Sequence, residues 1–356
     1  ENFHDLVVGT YGRGFWIMDD ITPLQQLTDE VLDSDAHLFK PRHAYRMHNI
    51  AGGPRASARA TINYYLKETS NKPVTITIMD ESGDVISTLR GSGRKGINRV
   101  NWALRHAGAR ATKIRTKPPG NPHVVEEKRF EETWIREGWY PLLSWGSFAG
   151  FGGFMVAPGN YTVKLSVGDQ EFTQILEVKK DPRSEGTQAD IEAQIAMQKE
   201  VRQNLNSVSD MISQIEWMRK QIYDTKDMLK TSEGSKDVIG AIETFDKKLR
   251  SVEDELFQRM IAEGDTKSFR FPQKLYFKIA VFAGDLASSV DFAPNKQQKE
   301  VHALLSERLG VQKARFEELL KTDLPAFNET LKQNGLAGVF VPEIKDEPGG
   351  TTFFRF

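Results

Sequence analysis

The apolar residues of this chain change their spacing at one place, and that change limits the folds open to it. Before residue 180 they alternate with polar residues in short runs, as in Val74-Thr75-Ile76-Thr77-Ile78-Met79 and in Tyr161-Thr162-Val163-Lys164-Leu165-Ser166-Val167. After residue 188 they recur in steps of four and three, as in Val201, Leu205, Val208, Ile212 and Ile215, then in sevens to Ile222 and Leu229. A period of two lines one face of a strand, whereas steps of four and three line one face of a helix. One segment cannot satisfy both, so the reading is a β part followed by an α part. The change falls at Asp181-Pro182-Arg183-Ser184-Glu185-Gly186. Pro and Gly both interrupt regular structure, so residues 181–187 read as a linker.

Within the β part, residues 55–180 read as a β-sandwich of the immunoglobulin or fibronectin type III kind. Its strands are expected at 60–66, 74–79, 85–89, 96–104, 161–167 and 172–178. Asp80-Glu81-Ser82-Gly83-Asp84 and Gly168-Asp169 supply turns. An insertion, residues 106–153, interrupts the strands. Its first half is basic and rich in Pro; its second half carries Trp134, Trp139, Tyr140, Trp145, Phe148 and Phe151 among glycines, with Phe154 just after it. A loop of that length is usually functional or disordered, and the aromatic density argues against disorder.

Residues 188–335 read as an antiparallel four-helix bundle. The first helix carries the series above and the second carries Val238, Ile242, Phe245, Leu249, Val252 and Leu256, joined through Thr231-Ser232-Glu233-Gly234. A third is expected over 271–289 with Leu275, Ile279, Phe282 and Leu286 on one face, and a fourth over 295–334. Pro325 should kink or split that fourth helix, and Gly335 should end it. Residues 336–356 form a tail closing on Phe353, Phe354 and Phe356.

The first two dozen residues have no obvious partner downstream. Leu6-Val7-Val8 and Phe15-Trp16-Ile17-Met18 flank the turn Gly9-Thr10-Tyr11-Gly12-Arg13-Gly14, which is a β-hairpin pattern. An isolated hairpin is marginal in water, so this one must complete some other sheet.

Composition removes several functions. Lys plus Arg number 48 against 49 Asp plus Glu, which offers no electrostatic attraction to nucleic acid. There is no cysteine, so no disulfide, thiolate metal site or cysteine nucleophile. No apolar run is long enough for a membrane span. Glu1 stands where an initiator Met is expected, read as processing or as an upstream segment not included.

Each candidate site competes with a plainer role. Asp19 and Asp20 are adjacent, so on a strand they face opposite ways, which suits a turn better than a pair of glycosidase carboxyls. Arg13, between two glycines, could grip an anion through its planar fork, against a structural role as ion pair or stacking group. Asp80-Glu81-Ser82-Gly83-Asp84 resembles a calcium loop but has Gly91 where the closing Glu belongs, so a hairpin turn is favoured. The seven histidines lack metal-ligand spacing. No catalytic set, metal or cofactor is assigned. Binding is assigned to Arg13 and to Trp134, Trp139, Tyr140, Trp145 and Phe148, whose aromatic faces would stack on sugar rings or enter a partner's pocket, against a plainer role as a loop anchored on its own sandwich or on the propeller. The interface is assigned to Phe15, Trp16, Phe353, Phe354 and Phe356.

The segment Asp5-Leu6-Val7-Val8-Gly9-Thr10-Tyr11-Gly12-Arg13-Gly14-Phe15-Trp16-Ile17-Met18-Asp19-Asp20-Ile21-Thr22-Pro23-Leu24 resembles the last blade of bacterial BNR-repeat, sortilin-like β-propeller proteins, a family of glycosyl hydrolase-like chains. His37-Leu38-Phe39-Lys40-Pro41-Arg42 resembles the connector that follows it. Asn98-Arg99-Val100-Asn101-Trp102 and Val156-Ala157-Pro158-Gly159-Asn160-Tyr161-Thr162-Val163 resemble strands of its sandwich, and Phe271-Pro272-Gln273-Lys274-Leu275 and Thr322-Asp323-Leu324-Pro325-Ala326-Phe327-Asn328 its helical tail. The resemblance implies last propeller strands at 1–27, a connector at 28–54, and the sandwich, linker, bundle and tail in that order. It implies a bacterial protein that is secreted, periplasmic or on the cell surface. The function expected is an accessory and assembly region without catalysis, whose partners are the upstream propeller, other subunits or glycans. The alternative is part of a glycoside hydrolase with its catalytic centre in the upstream propeller and residues 130–153 as lid or sugar platform. No Ser-x-Asp-x-Gly-x-Thr-Trp box of the propeller blades occurs in the chain.

Overall fold

The computed structural model describes residues 4–47, 59–110, 112–116, 140–141, 153–230, 236–259, 271–289 and 291–344. The chain is mixed α and β, and it divides into two compact units. One comprises Glu1–Ala107, Phe154–Ile195 and Val290–Phe292; the other comprises Gly108–Gly153, Ala196–Ser289 and Ala293–Phe356.

The first unit opens with a hairpin, β1 (Leu6–Thr10) and β2 (Gly14–Met18), followed by two short helices, α1 (Thr22–Gln25) and α2 (Asp29–Asp33). Pro23 sits in the first turn of α1, where its missing N–H costs nothing. Thr28 caps α2, its side chain accepting from the Val31 amide. Then come β3 (Ala36–Leu38), β4 (Ala44–Arg46), β5 (Ala60–Leu66), β6 (Val74–Met79), β7 (Val85–Arg90) and β8 (Gly96–Trp102). A two-residue pair, β9 (Lys113–Ile114) with β10 (Tyr140–Pro141), belongs to the second unit, and β11 (Gly159–Val167) and β12 (Gln170–Lys180) return to the first.

Two larger sheets result. One has the order β4-β12-β11-β6-β7, antiparallel except for the parallel β4-β12 pair; the other is the antiparallel β3-β5-β8. The period of two shows directly in β6, where Val74, Ile76 and Ile78 are buried and their neighbours are half-exposed. Both sheets feed one core, with Ile62, Tyr64, Leu66 and Trp102 from the smaller and Ile76, Ile78, Val163, Leu165 and Leu176 from the larger. Trp102 meets Tyr161 edge to face at 5.5 Å, a favoured aromatic geometry. Asp80 closes the β6-β7 turn by accepting from Ser82 N, Ser82 Oγ and Asp84 N, the hairpin role its sequence favours. The segment at 181–187 is tightly folded: Lys180 Nζ donates to Ser184 O and Gly186 O, and Arg183 donates to the Asp181 carboxylate through its amide, Nε and Nη2.

The helices are α3 (Gln188–Leu229), α4 (Lys236–Leu256), α5 (Leu275–Ser288), α6 (Lys296–Glu318) and α7 (Leu324–Gln333). A π-helical turn, Leu319–Asp323, joins the last two. Asn295 and Gln298 form a reciprocal capping box at the start of α6. Gly335, with φ of +72°, ends α7, and Leu336 N–H returns to Leu331 O. The residues of the steps-of-four-and-three series meet in the second unit's core, including Leu205, Ile212, Ile215, Ile242, Phe245, Leu249 and Ile279. Ile114 joins that core, and Arg110 grips Asp210 through Nε and Nη2 at 2.9 and 2.6 Å. Among the described residues no helix is long and apolar enough to cross a membrane.

Candidate functional site

The hairpin β1-β2 is the feature of the first unit that its own core does not explain. Register pairs Leu6 with Met18, Val7 with Ile17, Val8 with Trp16 and Gly9 with Phe15. Alternation therefore places Leu6, Val8, Trp16 and Met18 on one face and Val7, Phe15 and Ile17 on the other. A half-buried strand hides one such face. Here both are open: Phe15 is 82% exposed, Trp16 67% and Ile17 63%, with Leu6, Val7, Val8 and Met18 also exposed. The sheet has two strands only, so each strand has an edge without a sheet partner among the described residues. The turn between them is made by Gly12 and Gly14, both at positive φ, where a side chain is strained. Arg13 lies exposed in that turn.

The root of the hairpin is fixed. Asp20 is buried, and its Oδ1 accepts from Thr22 Oγ1 at 2.6 Å while its Oδ2 accepts from Asn63 Nδ2 at 2.9 Å. Its own amide donates to Asp5 Oδ1 at 2.8 Å, just ahead of β1, and Asp5 lies 3.6 Å from Arg42. Arg99, on β8, donates through Nη2 to Asp19 O and Asp20 O and through Nε to Asn63 Oδ1. Ile21 N–H closes the base on His4 O at 2.7 Å. The hairpin is thus held at its open end by a buried polar network while its apolar strands stand clear.

Of the residues singled out in the sequence, the structure brings Arg13, Phe15 and Trp16 together on this hairpin. Tyr140 lies in β10, its backbone paired with Ile114. Trp134, Trp139, Trp145 and Phe148 lie outside the described residues, as do Phe353, Phe354 and Phe356. Phe154, at the edge of the aromatic stretch, is a core residue: it packs on Ile191 and Ile195 and lies 4.4 Å from the His106 ring. Of Asp19 and Asp20, the second is the anchor just described. Asn63 and Arg99 as its partners had no local signal, being 43 and 79 residues distant in sequence.

No family model matches this chain, and no curated protein does. Among solved structures it is similar to trypsin-activated alpha-2-macroglobulin from Escherichia coli, at 12% identity and a TM-score of 0.19, over 46% of this chain and 8% of that one. A Salmonella alpha-2-macroglobulin mutant matches at 12% identity and a TM-score of 0.20, over 51% of this chain and 9% of that one. The chain spans less than a tenth of the length of each of these two structures.

Proposed function

We propose that this chain is a non-catalytic assembly region of an exported BNR-repeat, sortilin-like propeller protein, and that β1-β2 completes the last propeller blade. The observation that carries this reading is the hairpin with two open apolar faces and a clamped root. Such an element would aggregate if left bare, and natural proteins protect strand edges by pairing or covering them. Its natural complement is an antiparallel sheet that supplies strands to the open edges and side chains to both faces. A propeller blade packed between its neighbours offers both. In this reading the two sheets sharing one core are an immunoglobulin-like sandwich, and α3 to α7 are an elaborated four-helix bundle. These parts would act as a brace beside the propeller, with the aromatic stretch around Trp134–Phe148 and the phenylalanine tail as further contacts to protein or glycan.

The test is hydrogen exchange over residues 6–18 in two proteins: this chain alone, and the same chain extended by the polypeptide encoded before Glu1. Slow exchange confined to the extended protein, together with a blue-shifted Trp16 emission, is the expected result. Equally fast exchange in both defeats the reading.

A further inference from the structure

In the second unit, one guanidinium sits among more carboxylates than it can neutralise. Arg219, on α3 and buried, donates from a single nitrogen, Nη1, to Glu216 Oε1 at 3.0 Å and to Glu253 Oε2 at 2.6 Å. Its Nε donates to Asp246 Oδ1 at 3.0 Å, and its Nη2 to the Tyr223 hydroxyl. Glu216 and Glu253 are both 0% exposed. Glu216 holds the 115–116 backbone: its Oε2 accepts from the Arg115 and Thr116 amides at 2.5 and 2.6 Å, and its Oε1 accepts from Thr116 Oγ1 at 2.8 Å. Glu253 differs. Its Oε1 is buried and has no hydrogen-bond donor. A buried carboxylate oxygen without a donor is costly. Adding a proton converts that orphan acceptor into a donor, and the carboxylate beside it is Glu216.

We propose that Glu253 and Glu216 share one proton, forming a carboxyl pair that fastens residues 115 and 116 to α3 and α4 and loosens as the pH rises. No bond is made or broken other than the O–H: the Glu253 acid donates to the Glu216 carboxylate, and the proton leaves to solvent on deprotonation. Burial, then the neighbouring Glu216, pushes the Glu253 carboxyl well above its ordinary range, against the opposing pull of Arg219 and Arg259. The charges facing the pair come from every element around it. From α3 these are Arg219 and the phenol of Tyr223, and from α4 they are Asp246 and Arg250, 2.9 Å apart. Arg259, just beyond α4, lies 3.6 Å from Glu253 Oε2 and is mainly committed to Asp254 at 2.6 Å. From the 112–116 segment comes Arg115, whose guanidinium lies over the Trp217 ring at 3.7 Å. With Glu253 ionised, the interior gains a further negative charge beside the acceptor that holds the Arg115 and Thr116 amides.

The sign follows from linkage. The folded state holds this proton to higher pH than the unfolded chain does, so the stability is fully present below the ordinary Glu range and is lost as pH rises towards the elevated value. The experiment is urea unfolding of the full chain between pH 4 and 9, for the wild type and Glu253→Gln. Within the window the wild-type unfolding constant should climb by up to about tenfold per pH unit beyond that of the variant. Exchange of the Arg115 and Thr116 amides, corrected for base catalysis, should quicken with pH in the wild type alone. Parallel pH dependences for the two proteins overturn the proposal. Should the variant fail to fold, the wild type decides it by infrared spectroscopy: a protonated-carboxyl band that persists at pH 7 upholds the pair, and its absence at that pH overturns it.

Discussion

Asp20 has a backbone φ of +57°, a region that costs most residues energy but that Asp and Asn tolerate. Its carboxylate spends that conformation on two donors, Thr22 and Asn63, and the direction of the network is fixed. Asn63 Oδ1 already accepts from Arg99 Nε, so its Nδ2 must donate, and only an acceptor at position 20 fits. Asp20→Ala should therefore destabilise the first unit by about 1–3 kcal/mol, the penalty for stranding buried donors. Asp20→Asn should recover only part of this, since its amide tolerates the positive φ but presents N–H₂ or oxygen to two donors that both need oxygen. Urea unfolding of the two variants checks the order, and equal stabilities for wild type and Asp20→Ala refute it. The sequence favoured a turn role over a paired carboxylate for Asp19-Asp20, because adjacency on a strand separates side chains. It could not name Asn63 or Arg99, because a hydrogen bond closed by tertiary folding leaves no periodic trace. The same holds for Glu216 and Thr116, 100 residues apart, whose polar pairing is invisible in an apolar pattern.

At the level of elements, pattern was legible wherever one face meets the core. The hairpin β11-β12 turns at Gly168, with φ of +60°, where the sequence has Gly-Asp between two alternating runs. The fourth helical stretch was expected to kink or split at Pro325; the helical backbone instead runs on without a break and passes through a π turn just before it. Pro lacks an N–H, and its ring opposes the carbonyl four residues earlier, so the wider π turn at Leu319–Asp323 accommodates it while Pro325 enters the first turn of α7. The helix start at Leu275, four residues later than the 271 expected, was less legible because Pro272 sits before the helix and not inside it. The π turn sets the phase of α7, and Phe327 shows it: its ring stacks on Phe245 of α4 at 4.5 Å with 14° between planes. Phe327→Ala should cost the helical unit about 3–5 kcal/mol, as for other buried aromatic truncations. Phe245→Ala on the same background should add much less than it does alone, because the two rings form one contact. A double-mutant cycle by denaturant unfolding, followed at helical circular dichroism wavelengths, measures the coupling; strict additivity would show that the rings do not act as a pair.

Across the whole chain, what local pattern could not supply is which distant segments a unit recruits. The first unit draws in Asp291, more than 100 residues beyond its last strand, and buries it completely against Arg46 of β4. Arg46 also donates through Nε to Val156 O at 2.8 Å and through Nη2 to Gln194 Oε1 at 3.4 Å, so one side chain ties β4, the segment ahead of β11, α3 and residue 291 into the same unit. Gly186 is bound into the same arrangement: a Cβ there would collide with the Asp291 backbone, which gives this glycine a reason other than a linker's freedom. A buried ion pair contributes little net stability compared with a well-packed apolar pair, yet breaking one half is expensive because a desolvated charge is left behind. Asp291→Asn should therefore lower the stability of the first unit by about 3–5 kcal/mol, while the paired change Arg46→Met with Asp291→Leu should restore a substantial part of it. The wild-type effect should also persist in high salt, since screening acts weakly on buried charges. Thermal unfolding of wild type and both variants at low and high ionic strength tests all three statements. A single substitution that costs less than the double one would mean that Arg46 is held by its neutral acceptors and not by the charge of Asp291.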